Sequence, residues 1–180
     1  MAESATIDGA GVLARLGRGE SLGQIVGMGP AELDVIYNHA HALFRRGLYA
    51  EAERFFATLG LLDHGAARAW LGLGACRLHR RAHAGALAAY RMAMNLVEDP
   101  RAALHYAESA LVLGLDEDAK IALDLAFRWS NRPDSGAIRR RAEALAEGLS
   151  RRLAEPTPAS SSRRFPRLPR GRRPRMTDSR

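Results

Sequence analysis

Lysine is almost missing from this 180-residue chain: Lys120 is the only one, and all other fixed positive charge is arginine. Cysteine occurs once, as Cys76, so no disulfide can form within the chain and a reducing compartment is expected. No run approaches about 20 consecutive apolar residues, which argues against a membrane-spanning helix and against stable membrane insertion. The first residues carry Glu3 and Asp8 among glycines, without the basic start and apolar stretch of a secretory signal. Aromatics make up 6% and β-branched residues are few, which disfavours a domain built from strands. These absences leave a cytosolic, helical protein.

The chain is rich in alanine, leucine and arginine, all good helix formers. Its net charge of +7 is unevenly placed. Residues 151–180 hold ten arginines against Glu155 and Asp178, whereas residues 1–150 carry 17 basic and 18 acidic side chains. The basic character therefore belongs to the C-terminal tail. From Ala154 onward, five prolines, a serine run and arginines offer nothing that could form a core, so 154–180 are expected to be disordered. Clustered arginines attract phosphates, but only Phe165 could stack on a base, and no specific nucleic-acid site is expected.

The strongest pattern lies between Ala67 and Pro100. Trp70, Leu73, Gly74, Ala86, Tyr90 and Ala93 fall where the 34-residue tetratricopeptide unit wants large, large, small, small, aromatic and small residues. Gly74 and Ala86 would let two antiparallel helices approach closely, with Trp70, Leu73 and Tyr90 filling the space beside them. Ile36, Ala52 and Phe56 precede Trp70, Ala86 and Tyr90 by 34 residues, and Ala119 and Ala126 follow Ala86 and Ala93 by 33. Gly47 and Gly114 mark the turns within the first and third units, and Asp99-Pro100 is a cap followed by a first-turn proline.

The expected fold is all-α: an α-solenoid of three such helix-turn-helix repeats, at about 33–66, 67–99 and 100–133. A weak N-terminal helix near 20–27 precedes them, after a flexible stretch over 1–19. A C-terminal capping helix at about 135–153 would present Ile138, Ala142, Leu145, Leu149 and Leu153 on one face, completing a domain over 20–153. The first helix of each repeat lines the concave side. The groove is predicted to carry Tyr37, His41 and Phe44 from repeat one, and Arg68, Leu71, Ala75 and Leu78 from repeat two. Repeat three adds Arg101, Leu104, His105, Glu108 and Leu111. Ile36, Ala40 and Leu43 are assigned to the core. This lining suits an extended peptide with spaced apolar anchors.

Catalytic readings find little support. Cys76 and His79 have a spacing of three but no further ligands in sequence, so neither a metal nor another cofactor is expected. His39 and His41 point in different directions on a helix. Gly72-x-Gly74 lies inside a helical pattern and follows no strand, so close helix packing explains it better than a nucleotide loop. No nucleophile elbow, P-loop or paired catalytic carboxylates are present, and the chain reads as a binding protein.

Three blocks go beyond a generic repeat: Leu61-Leu62-Asp63-His64, then Gly72-Leu73-Gly74-Ala75-Cys76-Arg77, then Asp99-Pro100-Arg101 with His105 and Ala107-Glu108. Across about residues 22–150 the chain resembles the class II chaperones of bacterial type III secretion, the SycD/LcrH/IpgC type. The resemblance implies a cytoplasmic bacterial chaperone whose clients are hydrophobic translocator proteins, each held by an extended segment in the groove. The aromatic anchor positions of that family fall on Tyr37, His41 and Phe44, with His41 departing from the usual aromatic or large apolar residue. The resemblance also implies self-association through the N-terminal helix and first repeat, for which Leu22, Ile25, Leu59 and Leu62 are the apolar candidates. It permits a second role, as an adaptor binding an AraC-type transcription activator. The arginine- and proline-rich tail is longer than this family carries, so its role does not follow from the resemblance.

Overall fold

The computed structural model describes residues 9–131 and 133–154. Among these residues there is no strand, and the helices follow one another as antiparallel hairpins. Two short helices come first, α1 (Gly9–Gly17) and α2 (Leu22–Ile25). Three hairpins follow: α3 (Pro30–Arg45) with α4 (Tyr49–Leu62), α5 (Ala67–His79) with α6 (His83–Leu96), and α7 (Pro100–Val112) with α8 (Asp116–Trp129). A short 3₁₀ turn (Pro133–Ser135) leads into α9 (Gly136–Ala154). From α3 onward each helix packs mainly on its predecessor and successor, as in a solenoid, α2 packs on α4, and α9 closes the stack against α7 and α8.

Local chemistry fixes where these helices start. Ser21 and Gln24 form a reciprocal capping box at α2, with the Ser21 amide donating to Gln24 Oε1 at 2.8 Å. Pro30 opens α3, and the Gly29 amide donates to the Glu32 carboxylate at 2.9 Å. Asp99 caps α7 by accepting from the Arg101 amide at 2.8 Å. The turns inside the hairpins need a left-handed residue. Gly47 (φ 78°) and Gly114 (φ 72°) supply it in the outer repeats, but in the middle one Arg81 adopts φ 60°.

Small residues bring the helices together. Ala40, Ala52, Ala69, Ala86, Ala93, Ala107, Ala119 and Ala126 are fully buried, and Phe56 and Tyr90 fill the space between hairpins. A Cβ on Gly74 would come within 2.8 Å of the Tyr90 ring, which is the close approach expected from the sequence. Trp70 packs its ring over Gly60 and donates its indole N–H to the His64 carbonyl at 2.9 Å, tying α5 to the turn before it. Cys76 is sealed in the core, and burial pushes its thiol up to about 12. Ala40 and Leu43 are core residues, whereas Ile36 is half-buried.

Several expectations shift. Within the stretch expected to be flexible, Gly9–Gly17 forms α1. Arg15 explains its placement, since its guanidinium reaches Glu20 at 2.7 Å and the Ile25 carbonyl at 3.3 Å. Repeat one starts at Pro30, ahead of its expected boundary at 33. On α9, Ala142 and Leu149 are buried with Ile138 and Leu145 half-buried, but Leu153 is 55% exposed. The disorder expected over 154–180 falls, apart from Ala154 at the end of α9, on residues outside the described ones, as do residues 1–8.

Candidate functional site

The stacking of α3, α5 and α7 leaves a cavity of about 300 Å³ on their shared face. Tyr37, His41 and Phe44 project into it from α3, spaced to lie on one side of that helix. Arg68, Leu71, Gly72 and Ala75 enter from α5, and Arg101, Ala102 and His105 from α7. Phe56 of α4 and Tyr90 of α6 reach through between these helices and form the floor.

The lining is mainly aromatic. Tyr37 stacks on His41 with centroids 6.0 Å apart and meets Phe56 edge-on at 5.9 Å. Tyr90 lies 5.5 Å from the His105 ring. At one end Phe44 sits edge-on to Tyr49 (5.3 Å) and His79 (5.4 Å), which stack on each other at 4.3 Å.

Charge is confined to the rim and locally balanced. The Arg68 guanidinium lies 4.6 Å from the Tyr37 centroid and pairs with Asp34. Arg101 pairs with Asp99 at 2.7 Å. Burial opposes ionisation of Asp99, but Arg101 outweighs it and holds the carboxyl below its ordinary value. Glu108 bridges His105 Nδ1 (3.0 Å) to Arg141 of α9 (2.9 Å). Burial resists the Glu108 charge too, yet His105 and Arg141 keep its carboxyl below the usual range. Burial raises the Tyr90 phenol, with Glu108 adding to the effect, so the groove floor stays uncharged at neutral pH.

Among the predicted groove residues, Tyr37, His41, Phe44, Arg68, Leu71, Ala75, Arg101 and His105 line this one cavity. Leu104 does not. It is buried in the main core with Ala142 and Leu149, because α9 packs against α7 where repeat two leaves an open face. Leu78 and Leu111 are half-buried against the same core and lie off the cavity, and Glu108 ties α7 to α9 instead of lining it. Phe56, Gly72, Tyr90 and Ala102 were not predicted as lining. Phe56 and Tyr90 match the repeat pattern as packing residues, and the bare glycine at 72 was the signal that α5 makes room for a ring.

The self-association candidates also need correction. Leu59 is fully buried beside Leu33 and Ala69, and Ile25 is buried as well, so neither can meet a second chain in this conformation. Leu33 of α3 and Ala69 of α5 enclose Leu59, while α2 packs on α4 with Gly23 close enough that a Cβ would lie 3.1 Å from the Leu62 carbonyl. Leu22 and Leu62 are half-buried, and the exposed large apolar residues of this region are instead Leu13, Leu16, Val26, Val35, Leu48, Phe55 and Leu61.

Stacked helical hairpins around an aromatic trough define a tetratricopeptide-repeat peptide-binding protein. No protein-family model matches the sequence. The chain is 30% identical over 119 residues to the Low calcium response locus protein H of Yersinia pseudotuberculosis, covering 65% of this chain and 71% of that one. Its fold superposes with a TM-score of 0.77 on a chain of a T3SS complex from Aeromonas hydrophila, at 27% identity, covering 82% of this chain and 99% of the other. It superposes with a TM-score of 0.66 on the Yersinia enterocolitica type III secretion chaperone SycD, which was solved with a peptide of the translocator YopD. That match has 28% identity and covers 69% of this chain and 97% of SycD. The chain belongs to the family of the Low calcium response locus protein H, the class II type III secretion chaperones. Members of this family bind partners and are not enzymes.

Proposed function

We propose that this protein is a bacterial cytosolic chaperone that holds an extended segment of a type III secretion translocator in the α3–α5–α7 groove. The observation that carries the reading is the half-buried aromatic and aliphatic lining made by Tyr37, Phe44 and Leu71 over a floor of Phe56 and Tyr90. An apolar client anchor placed there leaves water, a gain of about 25 cal/mol for each Å² covered. The same covering keeps the client from aggregating. The peptide bound to SycD is a translocator peptide, which supports the same client class here. No feature of the groove favours an AraC-type regulator over a translocator.

Self-association in this reading falls to the uncovered face of α1, where Leu13 and Leu16 are exposed and no residue is buried. The test of the groove is co-purification of a translocator with the Tyr37→Ala, Phe44→Ala double variant. Loss of the client with unchanged far-UV circular dichroism is the expected result. Retention of the client at full yield would refute the groove as its site.

A further inference from the structure

A second apolar cleft, of about 380 Å³, opens between α8 and α9 at the far end of the solenoid. Leu123 and Leu149 are buried at its base, Phe127 is half-buried, and Leu153 stands 55% exposed at its mouth. Its origin is architectural. α9 stacks after α8 as the first helix of another repeat would, and among the described residues no second helix follows to cover the flank of the pair. The three complete hairpins have that covering helix, and among the described residues this end has none.

The chain itself supplies an occupant of matching chemistry. α9 ends at Ala154, next to the cleft residue Leu153, so the described part of the chain ends at the cleft mouth. Phe165 lies eleven residues beyond Ala154, a reach of up to about 36 Å. That exceeds the length of α8, about 21 Å for its 14 residues. The segment offers two large apolar side chains close together, Phe165 and Leu168, amid eight arginines from Arg163 onward.

Position selects the cleft over the client groove, because α9 ends beside it, and acidic side chains stand nearby. α8 opens with Asp116, Glu117 and Asp118 and carries Asp124 on the cleft edge, with Lys120 opposing them and Arg128 paired with Asp124 at 3.2 Å. Arg152, two residues before the end of α9, already pairs with Asp116.

We propose that residues 155–180 dock in cis along the α8–α9 cleft, with Phe165 and Leu168 in its apolar base and the flanking arginines against the acidic side chains of α8. This is an intramolecular strap over the solenoid's open end, independent of what the client groove binds.

The test uses the full chain carrying Gly171→Cys and a nitroxide label. Cys76 is buried with its thiol pushed up to about 12, so the introduced thiol is labelled selectively. Amide signals of residues 120–127 and 146–153 should fall by half or more against the reduced label, with those of α3 unaffected. Adding Phe165→Ser and Leu168→Ser should restore them. Docking in cis is overturned by uniform or absent signal loss, or by loss centred on Tyr37 and Phe44. It is equally overturned if the loss appears when label and isotope sit on different chains, which would make a second copy the occupant. Signal loss unchanged by the double serine variant would overturn the apolar anchoring.

Discussion

Phe56 lies against α5 where Gly72 has no side chain, and a Cβ at that position would collide with its ring. The pair links packing to function, because both residues also line the groove cavity. Phe56 is only 2% exposed, so its ring has little room to retreat within the core. Gly72→Ala therefore sets a helix-propensity gain of up to about 1 kcal/mol against an overpacking cost of about 1–3 kcal/mol. The expected outcome is a chain destabilised by about 1 kcal/mol in urea unfolding, with weaker client binding because the ring is driven into the cavity. A variant as stable as the parent and binding as tightly would show that the ring moves elsewhere without cost.

Arg81 turns the middle hairpin with φ 60°, while Gly47 and Gly114 turn the outer two with φ 78° and 72°. A side chain in the left-handed region costs roughly 1 kcal/mol that glycine does not incur. Against this, glycine loses more backbone entropy on folding. Arg81→Gly is expected to stabilise the chain by about 0.5 kcal/mol, a rise of roughly 1–2 °C in Tm for a domain of this size. A fall in Tm would show that the Arg81 side chain contributes more than its backbone strain removes.

The hairpins were legible because their signals are local and periodic. Spacings of 33 and 34 placed Ala52, Ala86 and Ala119, and the turn residues at 47 and 114, before any geometry was known. Groove positions on α3 and α5 followed from the same register. Leu104 did not, because what buries it is α9, more than thirty residues later in the chain, and no local pattern records which face a cap covers. Leu59 is likewise buried by neighbours distant in sequence, Leu33 of α3 and Ala69 of α5. α1 fell in the stretch expected to be flexible, and what holds it is Arg15 reaching past the turn to Gln24 and Ile25.

Glu53 of α4 joins two arginines of the neighbouring hairpin, accepting from Arg77 Nε at 2.9 Å and pairing with Arg80 through its other oxygen. Arg77 also donates to the Gly85 carbonyl, so one carboxylate ties α4, α5 and α6 together. Burial opposes the charge, but the two guanidiniums outweigh it and hold the carboxyl below its ordinary 4.5. The unfolded chain therefore binds this proton at a higher pH than the folded one. The stabilisation is complete above pH 4.5 and is lost as pH falls through the lower, folded value. Asp99 and Glu108 act in the same direction. Glu53→Gln should cost about 1–2 kcal/mol at neutral pH and flatten the stability profile below pH 4.5. Denaturant titrations from pH 3 to 7 read both; a profile as steep as the parent's would exclude Glu53 as a source of acid sensitivity.

Leu71 and Leu104 occupy equivalent places 33 residues apart in successive repeats, yet one lines the groove and the other is 6% exposed under the cap. Their alanine variants should separate binding from folding. Leu104→Ala empties part of the α7–α9 core and is expected to cost about 2–4 kcal/mol. At temperatures where the variant remains folded, its client affinity should stay close to the parent's. Leu71→Ala removes a half-buried groove side chain, so its stability loss should be about 1 kcal/mol or less while client affinity falls roughly tenfold, the equivalent of about 1.4 kcal/mol. Urea midpoints and titration of a client peptide give the two quantities independently. If Leu104→Ala weakened binding in the folded state as much as Leu71→Ala, the cap would not separate the two positions and the groove would have to extend beneath α9.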